Sequence, residues 1–146
     1  RRRMKNPRRD GSSTGAIGSH LRGHPMQDAL DALSAVKTEL DRLAALARSS
    51  DPYRAALAIA RELERHGVTG SRRAVWSCPL ARHLSRRSGA RVGVTRHAVV
   101  ISDSNGEITH TVRLVDPSDA LLPIREFVVQ FDDYKRRFRW LDDNRA

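Results

Sequence analysis

The stretch RVGVTRHAVVISDSNGEITHTVRL, residues 91–114, decides how this chain is to be read. Arg91 to Thr95 and Ala98 to Ser102 are short and rich in valine, with two residues between them, as in a hairpin. Asp103-Ser-Asn-Gly106 then holds an Asn-Gly pair, which tolerates the left-handed backbone of a tight turn. Beyond it Ile108, His110, Val112 and Leu114 alternate with polar residues along a third strand, and Asp116-Pro117-Ser118 closes the sheet. A three-stranded antiparallel sheet is expected.

Helices flank it on both sides. Downstream, Pro123 opens a helix whose Ile124, Phe127, Val128, Phe131 and Phe138 share one face. Upstream, a helix starts near Ser77, Cys78 and Pro79 and ends at Gly89, after a loop at 67–76. Earlier still, Met26, Leu30, Leu33, Val36, Leu40, Leu43 and Ala47 recur every three or four residues as one apolar stripe. Asp51-Pro52 begins a second helix, with Tyr53, Leu57, Ala60 and Leu63 inward and Gly67 as its stop. The short link between these two predicts an antiparallel hairpin. The fold class is therefore α+β: a helical hairpin at 26–66, an α-β-β-β-α unit at 77–138 and a C-terminal tail at 139–146. Residues 1–25 are nearly devoid of apolar side chains and read as a disordered basic tail. Met26 opens the first periodic segment, so that tail need not be native.

The 146 residues carry a net charge of +10, and arginine outnumbers lysine 24 to 3, a skew that a GC-rich genome produces. The placement of charge says more. Residues 1–25 carry +6, 26–64 carry −2, 65–102 carry +8, 103–134 carry −5 and 135–146 carry +3. From Arg65 to Ser102 there are eight arginines and no Asp or Glu. No segment has the ~18–20 apolar residues of a membrane-spanning helix, and a single cysteine excludes an internal disulfide, so a cytoplasmic protein is expected.

No motif reads as an active site, and no cofactor is expected. His20 and His24, and Cys78 and His83, are poorly spaced for a metal. Gly67-Val-Thr-Gly70 lacks the strand and Gly-Lys-Ser/Thr of a phosphate loop. Asp132-Asp133 and Asp142-Asp143 diverge by ~100° on a helix, which makes poor acid–base pairs. Cys78 at a helix N-terminus amid arginines is a candidate reactive thiol, with a small buried thiol as the plainer alternative. What remains is the basic band. On the 78–88 helix Leu80, Ala81 and Leu84 lie on one side, and Arg82, His83, Arg86 and Arg87 spread over the other. Arg72, Arg73, Arg91 and Arg96 flank them beside Trp76. A basic helix followed by a basic hairpin suits nucleic acid, DNA ahead of RNA.

Ser-Cys-Pro-Leu-Ala-Arg-His-Leu at 77–84, the Val-x-Val strands and Leu122-Pro-Ile-x-x-Phe-Val-x-x-Phe-Asp132 together resemble small basic proteins of unassigned function from high-GC Gram-positive bacteria and their mobile elements. The resemblance covers 77–134, implies a conventional fold and supplies no activity. Lys135-Arg-Arg-Phe-Arg139 stands where those proteins finish with Tyr-Pro. The order α-β-β-β-α is also that of a double-stranded RNA-binding domain, without its contact residues, and the 67–76 loop is too long for a tight helix-turn-helix. The expectation is a nucleic-acid-associated accessory or regulatory protein. It dimerises through 26–66, because Ala56 and Ala60 are thin cover for Leu33 and Leu40. The alternative is an adaptor that uses the hairpin and its basic face toward an acidic protein partner.

Overall fold

Asp51 is where local sequence becomes structure most directly. In the computed structural model, which describes residues 25–115 and 118–144, its carboxylate accepts the backbone N–H of Tyr53 at 2.9 Å, and Pro52 takes the first helical position. The element order is α1 (Pro25–Leu46), α2 (Pro52–Arg65), α3 (Pro79–Ser88), β1 (Arg91–Val94), β2 (Ala98–Ser102), β3 (Ile108–Arg113), α4 (Leu122–Asp133) and a 3-10 turn (Arg139–Leu141). The expected α+β class is what forms. The expectation for residues 1–24 lies outside the described residues, as does Asp116-Pro117.

The sheet is antiparallel in the order β1-β2-β3, with Val92 opposite Ile101 and Val94 opposite Val99. Those four side chains are at most 4% exposed and form the sheet's core face. A bulge between Ile101 and Ser102 shifts the β2–β3 register, so that Ile101 faces His110 and Ser102 faces Ile108. β3 is an edge strand, and Ile108 is 49% exposed at its start. On the far face of β1 a Cβ on Gly93 would come within 2.9 Å of Trp76 and Val75, and Val94 N–H donates to Val75 at 2.8 Å. The 67–76 loop is thus fitted to the sheet, and glycine at 93 is what admits the indole.

Packing among the helices departs from the expectation. α2 packs chiefly on α4, and α1 packs chiefly on α3. From Leu33 onward the stripe on α1 is therefore covered from within the chain: Val36, Leu40 and Leu43 are fully buried and Leu33 packs against the core, partly buried. The shortage of cover that argued for a homodimer through 26–66 does not arise. Phe138 lies beyond α4 rather than on it, with φ 57°, yet is 2% exposed and stacks on Phe127 and Tyr53. Nor is 139–144 a tail. Leu141 is buried, Gly70 N–H donates to Leu141 and Asp143 N–H donates to Gly70, each at 2.8 Å. A Cβ on Gly70 would sit 2.4 Å from the Ser77 carbonyl, so only glycine lets the three segments meet.

Candidate nucleic-acid interface

α3 forms because Cys78 caps it, Pro79 presets its first turn and Gly89 leaves it at φ 71°. Leu80, Ala81 and Leu84 are buried as the pattern required. His83 is not on the outer face: it is 2% exposed, and its Nε2 lies 2.6 Å from the Glu39 carboxylate of α1. The outer face is reduced to Arg82, Arg86 and Arg87.

The seven arginines of the basic band have different tasks. Arg72 is an internal clamp. Its Nε donates to Asp142 at 2.7 Å, Nη1 donates to the carbonyls of Phe131 and Tyr134, and Nη2 donates to those of Lys135 and Arg137. A guanidinium has five N–H donors, so none is left for a partner, and the expected contact role for Arg72 does not hold. Arg82 binds Asp143 and the Thr69 carbonyl at 3.0 Å each, and Arg96 binds Asp133 at 3.0 Å. Both remain about two-fifths exposed (41%) with donors to spare. Arg87 is tied only loosely, 3.4 Å from Glu39. The Arg91 guanidinium carbon lies 4.0 Å from the centre of the Trp76 ring, and the residue is exposed. Arg73 and Arg86 are exposed, and neither side chain has an ion pair among the described residues.

A buried polar network joins the helices. Glu39 accepts from Arg42 at 2.6 and 2.9 Å as well as facing His83. Arg42 also donates to Glu62 of α2 at 2.8 Å, and Glu62 meets Arg65 at 2.9 Å and His66 at 3.1 Å. The two imidazoles are 5.1 Å apart, centroid to centroid. Burial pushes the Glu39 carboxyl up, but hydrogen bonds from Arg42 and His83 outweigh it and hold it at about 2. The hydrogen bond from Arg65 leads in holding Glu62 at about 2, against burial. Burial pushes His83 below its ordinary value despite Glu39, so it donates Nε2–H as a neutral ring. Glu39, Arg42, Glu62 and His83 each immediately precede a core leucine, about 100° round the helix, at the rim of an apolar stripe. That spacing was the available sign.

Cys78 is the buried alternative. It is 6% exposed, its Sγ accepts the Ala81 N–H at 3.4 Å, and burial pushes the thiol up to about 11. Desolvation outweighs the helix terminus, which favours the plainer reading of Cys78 as a buried cap over that of a reactive thiol. Among the described residues no cluster of three or more His, Cys, Asp or Glu is placed to hold a metal, and no helix is long and apolar enough to cross a membrane.

Reasoning from the basic band passed over a second cationic site. Beyond α4, Lys135, Arg136 and Arg139 come round to Arg72 and Arg73 and line one shallow cleft of about 490 Å³. Its signal in the sequence was Lys135-Arg-Arg-Phe-Arg139, four cations in five residues. No protein family pattern, no curated protein and no solved structure matches this chain.

Proposed function

We propose that this chain is a small nucleic-acid-associated accessory or regulatory protein that holds its partner mainly through phosphates. The observation that carries this reading is the α3–β1 corner. Arg86, Arg87 and Arg91 leave the surface within six residues, all exposed, and Trp76 fixes the Arg91 guanidinium from behind. A guanidinium held against an indole loses little freedom on meeting a phosphate. Internal pairing takes Arg72 from the band and neutralises the charge of Arg82 and Arg96 without removing the band's sign.

Binding of labelled duplex DNA, single-stranded DNA and RNA, followed by anisotropy, tests it. Replacing Arg86 and Arg91 by alanine weakens binding to all sequences alike, because phosphate contacts carry no sequence information. Replacing Arg82 and Arg96 lowers stability and leaves affinity nearly unchanged. Intact affinity in the Arg86→Ala, Arg91→Ala chain would sink the reading.

The adaptor reading has one observation of its own. Leu30 is 46% exposed over a groove between the first turns of α1 and β2–β3, lined by Ala29, Ala32, Ala90 and Ile101. Asp28, Asp31 and Asp103 rim that groove, which suits a basic protein rather than an acidic one.

A further inference from the structure

The cleft beside α4 is built, not incidental. Arg72 draws the carbonyls of Phe131, Tyr134, Lys135 and Arg137 inward around one guanidinium, which also lies 4.4 Å over the Phe131 ring. With those carbonyls turned in, the Lys135 and Arg136 side chains stand exposed at the rim. Across the cleft, Asp132 accepts the backbone N–H of Arg73 at 2.9 Å, which holds that residue at φ 56° and leaves its side chain free. The two hydrogen bonds of Gly70 to 141 and 143 fasten the same loop from below.

Charge follows from this arrangement. Arg72 and Asp142 neutralise each other on the floor at 2.7 Å. Arg73, Lys135 and Arg136 then face Asp132, the other carboxylate among the described residues that line the cleft, which burial pushes above its ordinary value. Cations gathered on a pinned backbone repel one another, and an anion with several acceptor oxygens relieves the repulsion. Because the backbone is already ordered, little freedom is lost when that anion binds.

We infer that this cleft is a phosphate-binding site, contacted by Arg73, Lys135 and Arg136, and that it takes a backbone phosphate of a bound nucleic-acid strand. The inference rests on the nucleic-acid reading for the source of the phosphate, but not for the site. It makes the binding surface two-sited, the cleft adding to the α3–β1 corner.

The experiment uses the full chain and a Lys135→Gln, Arg136→Gln variant, whose two side chains are exposed and whose melting temperature should match. The first arm is anisotropy with a labelled oligothymidine across a salt series. The variant should bind at least about tenfold more weakly, with a salt slope smaller by roughly 1.4, from ~0.7 per lost phosphate contact on a single strand. The second arm titrates inorganic pyrophosphate into ¹⁵N-labelled protein, and the amides of Arg73 and Asn144 should move in the intact chain and not in the variant. An unchanged affinity and slope in the variant, while Arg86→Ala with Arg91→Ala weakens binding, overturns the cleft and leaves the proposed function standing. Pyrophosphate shifts without oligonucleotide binding uphold the phosphate site and overturn the nucleic-acid source. Neither response overturns both.

Discussion

Replacing Glu39 by glutamine keeps its shape and removes one buried charge. Its side chain is 4% exposed and meets Arg42, His83 and, more distantly, Arg87. Its carboxyl is held at about 2 against an ordinary 4.5, which corresponds to about 3 kcal/mol at ~1.4 kcal/mol per tenfold change in proton affinity. The folded value is the depressed one. The stabilisation is therefore full above 4.5 and fades as pH falls through the folded value. Glu39→Gln should lower stability by about 3 kcal/mol at neutral pH, a shift of ~2 M in the urea midpoint for a chain this size. Near pH 3 the difference should shrink to about half, because the unfolded chain, with its ordinary value of 4.5, has by then taken up the proton that the folded chain still excludes. Urea unfolding followed by circular dichroism at both pH values reads it. A difference below ~1 kcal/mol at neutral pH, or one that does not shrink with acid, would refute a buried ionic network joining α1 to α3.

His83 is held below its ordinary value of 6.5, so the unfolded chain takes up that proton first. Acidification through 6.5 should lower the melting temperature, and a His83→Asn chain should lack that step; identical profiles would contradict a neutral buried ring. Arg72→Ala removes the cation paired with the Asp142 carboxylate (12% exposed) and the guanidinium donors of four carbonyls, so we expect a loss of about 3–5 kcal/mol in thermal or urea unfolding. Adding Asp142→Ala to that variant should cost far less than Asp142→Ala alone, and strict additivity would argue against the clamp. Cys78, pushed up to about 11 by burial, should resist an aromatic disulfide reagent at neutral pH until urea unfolds the chain. Rapid labelling of the folded protein would show an accessible thiol.

Element boundaries were legible because the residues that start and stop them act locally. Asp51-Pro52, Cys78-Pro79 with Gly89, and Asn105-Gly106 each impose a conformation on their own neighbours. The strands were legible because valine-rich runs flank those signals. Which helix covers which was not, since an apolar stripe states that it needs cover and not what supplies it: α3 covers α1, and α2 turns to α4. Arg72 was misjudged for a related reason. Four of its five acceptors are backbone carbonyls some sixty residues away, and a carbonyl leaves no trace in side-chain identity. The basic band was visible as charge, but its ties to Asp133, Asp142 and Asp143 become visible only when the chain is folded.

The salt dependence of nucleic-acid binding by the intact chain tests the central claim most directly. Arg73, Arg86, Arg87, Arg91, Lys135 and Arg136 are exposed cations at the corner and the cleft. If most of them meet phosphates, log affinity should fall with log salt at a slope of roughly −4 to −5 on duplex DNA, at ~0.9 per contact. A slope near zero, or no binding at low salt, would contradict the account and leave this charge as a solvated surface.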